Sequence, residues 1–265
     1  MKPGKKLILS IFPGIDLFGK AFEDEGFCVV RGPDLIFGGD IRSFNPPPGI
    51  FYGVIGGSPC QDFSKARRTA PTGKGLEMLE EFKRVTIAAA PEWYILENVP
   101  ETPNLKIPEY HHQRIDLNAL ECGSSQRRLR HFQWGSRYDY TLIVERITPP
   151  PKPHKPPCLA SEGTKQERRS FSDFCEDMDL PREFKLPGWS NAFKYAAVGN
   201  GVPLKMGKTI ARAVKNLRFK YWEVNICACG CGRLLKGRKK SASASCRKRL
   251  QRQKARARVG QNIQL

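Results

Sequence analysis

A chain of 265 residues that is 40% hydrophobic can bury one substantial core and still carry an appendage. No run approaches the apolar length that a bilayer span needs, and the N-terminus lacks the apolar core of a secretory leader, so membrane residence and secretion are not expected. The net charge of +19 is lopsided: from Lys205 onward 18 Lys or Arg face Glu223 alone, whereas the preceding residues hold 27 basic and 25 acidic side chains. A nearly neutral body with so basic an end suits a polyanion, nucleic acid first; the plainer alternative is a solvated tail with no partner. The nine cysteines are scattered except near the end, which fits a reducing cytoplasm better than a disulfide framework.

Residues 5–135 alternate strand-like and helix-like stretches, the pattern of a parallel α/β sheet. Lys6–Phe12 is the first expected strand. The helix after it places Leu17, Phe18, Ala21 and Phe22 on one side and Glu23, Asp24 and Glu25 outside. Phe27–Val30 and residues 51–56 are the next strands. A helix over Leu76–Ala89 turns Leu76, Leu79, Phe82 and Val85 inward and stops at Pro91. Trp93–Leu96 is a further strand, and Arg114–Leu120 and His131–Trp134 are the last two. Six prolines between Thr148 and Pro157 read as an extended spacer. Beyond it, Phe171, Phe174, Leu180 and Trp189 are candidates to cover the sheet, and Arg168-Arg169 to face a polyanion. Pro203 opens a helix with Met206, Ile210, Ala213, Val214 and Leu217 on its apolar side.

The most informative stretch is Gly56-Gly57-Ser58-Pro59-Cys60-Gln61, at the end of the strand over 51–56. Glycines permit a tight turn there and proline fixes the approach, so a thiol is presented at a strand's carboxyl end, a position suited to nucleophilic attack. Four other segments keep it company: Phe12-Pro13-Gly14-Ile15, Glu97-Asn98-Val99-Pro100, Gln126-Arg127-Arg128-Leu129-Arg130, and Gly199-Asn200-Gly201-Val202-Pro203. In this order and spacing, over roughly residues 5–216, they resemble the motifs of the cytosine-5 DNA methyltransferases.

That resemblance implies a Rossmann-like α/β sheet with helices on both faces that binds S-adenosylmethionine. It implies domain bounds of 1–147 for the cofactor-binding and catalytic part, 148–190 for the spacer and a short target-recognition insert, 191–220 for the return segment, and 221–265 for the tail. Cytosine C5 is a poor nucleophile, so Cys60 is assigned to attack C6 and make C5 carbanion-like toward the sulfonium methyl group. Glu97 is assigned to N3, given enough burial to keep a proton available. Arg128 and Arg130, which share one side of an extended segment around Leu129, are implied to anchor the catalytic loop, with Arg130 at the cytosine carbonyl oxygen and Gln126 in support. Gln61, Ser64, Lys65, Arg67 and Arg68 resemble the loop that closes over DNA. Extruding the target base costs a few kcal/mol, to be offset by backbone contacts.

For the cofactor, Phe12, Gly14 and Ile15 resemble the glycine turn, Asp40 and Ile41 the acidic site for the adenine ring, and Asp34 a ribose contact. Pro59, Asn200 and Val202 are placed around the methionine end. Two departures stand out. Ser10 occupies a position where the family usually has aspartate, and Asp16 one where a second glycine is common; Asp16 either supplies the missing acidic contact or caps the helix starting near Leu17. The segment Phe132–Val198 is short for a full recognition domain, which implies either reduced sequence specificity or a share of it handed to the tail.

In the tail, Cys227, Cys229, Cys231 and Cys246 form a thiol cluster that looks like a small zinc ribbon followed by a basic helix, though the one-residue spacings are tighter than usual. The alternative is a basic tail with incidental cysteines. The expected function is DNA cytosine-5 methylation by a cytoplasmic, monomeric bacterial or phage-type enzyme acting on double-stranded DNA, as an orphan or beside a cognate restriction endonuclease. The competing readings are an RNA cytosine-5 methyltransferase and a catalytically silent DNA-binding regulator on the same fold.

Overall fold

The computed structural model describes residues 7–64, 70–149, 151–217, 225–226, 234–235, 243–249 and 251–252. It divides into two compact units, Met1–Asn216 and Leu217–Leu265. In the first unit the strands are β1 (Leu7–Ile11), β2 (Cys28–Arg31), β3 (Gly53–Gly57), β4 (Trp93–Asn98), β5 (His111–Asn118) and β6 (Leu129–Ser136). The helices are α1 (Leu17–Asp24), α2 (Lys74–Ala89), α3 (Phe171–Asp177), α4 (Asn191–Asn200) and α5 (Leu204–Lys215). The sheet order is β2-β1-β3-β4-β6-β5.

The expectation of a parallel sheet holds only for β1 to β4; β6 inserts antiparallel between β4 and β5. The reversal has a simple cause. Only a 3₁₀ turn at Ala119–Cys122 and a short loop separate β5 from β6, too little chain for a crossover helix. It also has a consequence: β6 begins at the edge where β1, β3 and β4 end, because Asn98 pairs with His131. Arg130 and Glu97 thereby meet at one rim.

Side-chain alternation splits the core between the two faces. On one, Leu9, Ile11, Val54, Tyr94 and Leu96 pack with Met78, Leu79, Phe82, Val85 and Ala89 of α2. On the other, Phe22 of α1 stacks on Trp93 and Phe18 approaches Phe132, with Trp134 behind Trp93. Each large apolar side chain buried this way contributes roughly 1.5–3 kcal/mol relative to exposure. Leu76, expected inward, is 57% exposed: α2 begins two residues earlier than its apolar spacing suggests, and Gly75, Met78 and Leu79 take the inner side of its first turns.

A second cluster joins Leu17 and Ala21 of α1 to Cys158, Phe174, Cys175, Met178, Leu180, Tyr195, Val198 and Leu204. Phe174 and Leu180 therefore cover α1 and α4 rather than the sheet, while Trp189 lies edge-on against Phe193. The proline-rich segment is more than a spacer, since Lys155 pairs through its backbone with Ser125 and Arg127. Arg169 does not face outward either: it is ion-paired to Glu162 at 2.6 Å and to Asp177 at 2.9 Å.

In the second unit, β7 (Asn225–Ile226) and β8 (Leu234–Leu235) pair antiparallel, and residues 244–249 are helical. Among the described residues, no helix is long and apolar enough to cross a membrane.

Candidate active site

The carboxyl ends of β1, β3 and β4, the start of β6 and the end of α4 enclose a cavity of about 750 Å³. Its first wall is the turn after β1. Phe12, Gly14 and Asp16 all have left-handed backbone, with φ of 53°, 54° and 57°. Left-handed geometry is costly for most side chains and least so for glycine, asparagine and aspartate, which explains why a glycine also suits position 16. Asp16 is the N-cap of α1, accepting from Gly19 N–H at 3.0 Å, and it also accepts from the Ser10 hydroxyl and pairs with Arg31. Of the two roles open to Asp16, the capping one is filled, although the residue also lines the cavity.

Asp34 and Asp40 close the next side, each starting a 3₁₀ turn (Leu35–Phe37 and Ile41–Ser43). Asp34 accepts from Gly14 N–H at 2.8 Å and Ile36 N–H at 2.9 Å, tying the two turns together. Asp40 accepts from the backbone and guanidinium of Arg42, which hold its carboxyl below the usual range. Arg42 in turn reaches Glu77, and Arg84 donates to the carbonyls of Ile41 and Phe44. No sequence pattern singles out these two arginines; they brace the Asp40-Ile41 turn from α2 and from within.

At the end of β3, Ser58, Pro59 and Cys60 enter the cavity. Asn98, the last residue of β4, donates to the Ser58 carbonyl and hydroxyl, each at 3.0 Å. Phe63 and Ser64 N–H groups donate to the Cys60 carbonyl, so the thiol sits on a closed turn. Asp62 then accepts from Thr72 N–H at 2.9 Å and Gly75 N–H at 2.8 Å, fastening the far end of the following loop to the start of α2. Gln61 lines the cavity, whereas Lys65, Arg67 and Arg68 lie outside the described residues. Sequence reasoning also misses Asn98 and Asp62. Asn98 is legible only as the neighbour of Glu97, and Asp62 carries no signal beyond following the thiol.

Glu97 lies within β4 rather than beyond it, nearly fully buried, and Arg130 Nε stands 3.0 Å from its Oε1. Gly57 makes room for it: a Cβ there would sit 2.9 Å from Glu97 Oε2. Burial raises the affinity of Glu97 for a proton, against the opposing charges of Arg130 and Arg128. Burial likewise pushes the Cys60 thiol up, the charge of Glu97 pushes it further, and the two arginines pull it back.

Arg130 lines the cavity; Arg128 does not. Arg128 is buried, and its guanidinium donates to the carbonyls of Cys158, Gly199 and Gly201 rather than to the loop carrying Cys60. Gln126 donates to the Asp177 carbonyl and accepts from Cys158 N–H. Arg127 is exposed. Asn200 and Val202, at the end of α4, line the same cavity as Phe12 and Ile15.

Cys227, Cys229 and Cys231 fall outside the described residues; Cys246 is buried within the helical stretch 244–249. Among the described residues there is no group of three or more His, Cys, Asp or Glu able to hold a metal ion.

Comparison with known proteins points to one family. The model of the C-5 cytosine-specific DNA methylase family matches residues 38–178. The chain is 34% identical over 96 residues to the type II methyltransferase M.HgiDI of Herpetosiphon aurantiacus, covering 32% of this chain and 31% of that one. It is 24% identical over 182 residues to the type II methyltransferase M.DdeI of Desulfomicrobium norvegicum, covering 55% and 44%. The chain thus spans less than half the length of these relatives. The solved structure of the Entamoeba histolytica methyltransferase EhMeth superposes with a TM-score of 0.60 at 10% identity, over 80% of this chain and 98% of that one, a likeness of fold.

Proposed function

Because the chain belongs to the C-5 cytosine-specific DNA methylase family, we propose that it transfers a methyl group from S-adenosylmethionine to C5 of a cytosine rotated out of duplex DNA. One observation carries this reading: Cys60, Glu97 and Arg130, delivered by three different strands, line one cavity together with the turn after β1 and the end of α4. The cavity suits the donor. Ile15, Ile36, Ile41 and Val202 give it apolar walls. The oxygens of Asp34 each accept one backbone N–H, and a carboxylate has about four lone-pair sites, so capacity is left for ribose hydroxyls. Asp40 and Ile41 would hold the adenine, and Phe12, Gly14, Pro59, Asn200 and Val202 the rest of the molecule.

Bound there, S-adenosylmethionine supplies an electrophilic methyl group on a sulfonium sulfur. Cys60 gives its thiolate pair to C6, which drives the C5–C6 π electrons toward C5. Glu97 holds a proton at N3, where negative charge would otherwise build, and Arg130 donates to the ring carbonyl oxygen. After C5 is methylated it still carries its hydrogen. Loss of that proton to water returns the electron pair to the C5–C6 bond and expels Cys60 as a thiolate, and return of the N3 proton to Glu97 restores the protein.

The basic end from Lys205 onward would bind the DNA backbone. The cysteines at 227, 229, 231 and 246 would hold a structural zinc ion there. A monomeric, cytoplasmic enzyme, alone or paired with a restriction endonuclease, fits these features. The test is covalent trapping. Duplex DNA carrying 5-fluorocytosine cannot lose a proton from C5, so with S-adenosylmethionine it should leave a stable protein–DNA adduct that disappears in Cys60→Ser. Methyl transfer without such an adduct would overturn the assignment of the thiol.

A further inference from the structure

We infer that Arg128 is a positioning residue for the methyl-donor end of the pocket, and that the segment 158–164 is a structural layer behind that pocket's wall rather than part of a DNA-reading insert. The inference rests on the reading that the cavity binds S-adenosylmethionine.

Asn200 and Val202 reach the cavity from the end of α4 and the short connection to α5, a place where carbonyls are left without helical partners. Arg128 supplies the missing donors. Its Nη2 donates to Gly199 O at 2.6 Å and Gly201 O at 3.0 Å, the two carbonyls that flank Asn200. Its Nη1 donates to Cys158 O at 2.6 Å. One planar guanidinium therefore fixes the backbone on both sides of Asn200 and joins it to the segment after the prolines.

That segment is itself held from two directions. Gln126 accepts from Cys158 N–H at 2.9 Å. Gly199 packs so closely on it that a Cβ would lie 2.9 Å from Ala160 N and 3.0 Å from Ala160 Cα. Farther along, Gly163 lies against Asn191 and Tyr195 of α4 in the same manner. The 3₁₀ turn Ala160–Thr164 and α4 thus form one packed layer behind the pocket wall, with Arg128 as its polar tie. Beside this layer, Arg169 is engaged with Glu162 and Asp177, and Lys155 with Asp177.

The test compares Arg128→Lys and Gly199→Ala with the wild-type full-length protein. Three readouts are needed: melting temperature, affinity for S-adenosylmethionine without DNA, and kcat at saturating S-adenosylmethionine. Lysine keeps the buried charge but replaces the fork by a compact ammonium, so bonds to carbonyls on both sides of Asn200 are not kept together. Loss of one or two charge-assisted hydrogen bonds predicts cofactor binding weaker by roughly 10- to 100-fold, with kcat within about threefold of wild type. Gly199→Ala should shift the same parameter in the same direction, by pushing α4 from Ala160. Variants that melt like wild type and bind the cofactor equally well would overturn the inference. So would a loss of kcat at unchanged affinity, which would put Arg128 in the chemistry. A wild-type protein that does not bind S-adenosylmethionine would overturn the underlying reading of the pocket, and this inference with it.

Discussion

Ser10 and Asp16, the two residues that depart from the usual motif at the cofactor turn, are hydrogen-bonded to each other: the Ser10 hydroxyl donates to Asp16 Oδ1 at 2.8 Å. The two departures are therefore one exchange. A carboxylate moved from the strand to the following turn occupies the same small volume, and there it gains the N-cap of α1 and the Arg31 guanidinium.

This exchange predicts non-additive stabilities. Ser10→Asp would place two carboxylates in contact in a buried site and should destabilise the fold by about 1–3 kcal/mol. Asp16→Gly loses the cap but suits the left-handed backbone, and replacing a cap by glycine costs only a few tenths of a kcal/mol. The double variant Ser10→Asp/Asp16→Gly should then recover most of the loss of the first. Denaturant unfolding of the four proteins measures the coupling; additive effects would show that the two positions are independent.

Cys60 and Glu97 titrate against each other. The buried carboxylate, when ionised, raises the thiol's proton affinity, and a protonated Glu97 relieves it. Glu97→Gln, neutral at every pH, should therefore move the pH midpoint of Cys60 alkylation downward. Arg130→Gln removes a cation that stabilises both anions and should move the midpoint upward. Alkylation rates of the free protein as a function of pH report both shifts; movement in the opposite direction for either would contradict the electrostatic picture.

Gly57 is required by space rather than by backbone angle. Gly57→Ala puts a methyl group 2.9 Å from Glu97 Oε2, so the carboxyl must shift away from its place beside Arg130. A misplacement of about 1 Å at a reacting group can cost about 100-fold in rate. The expected result is a large fall in kcat with cofactor binding and melting temperature changed little. Full activity would mean that Glu97 has room to adjust.

The basic helical stretch carrying Arg247, Lys248 and Arg249 should act through phosphate contacts. Replacing all three by glutamine should flatten the dependence of log K for duplex DNA on log salt by roughly 0.9 per lost contact, without changing which cytosines are modified. A change in the modified sequence would assign base reading to these residues instead.

Much of the arrangement is legible in the amino-acid sequence itself. Short continuous apolar runs mark β1, β3 and β4, and the turn residues after them mark the rim that carries Cys60 and Glu97. The antiparallel insertion of β6 is not legible, because a short connection says that two strands are neighbours and not where the pair joins the sheet. The Ser10–Asp16 bond is equally hidden: each substitution can be seen, but only proximity makes them a pair. Asp62, Arg84 and Asn98 work through backbone groups, and Arg42 through a distant Glu77, none of which a side-chain pattern reveals. Arg128 shows the same limit most clearly. Its spacing from Arg130 suggests one side of an extended segment for both, yet a two-residue step separates a side chain in the cavity from one clamping the backbone behind it.

The most direct test of the whole account is methyl transfer from labelled S-adenosylmethionine to unmethylated duplex DNA, comparing the intact protein with Cys60→Ala. The account predicts label at cytosine C5 with the intact protein and none with the variant, while both bind the cofactor. Label that persists in Cys60→Ala, or a protein that binds both S-adenosylmethionine and DNA yet transfers nothing, would contradict it.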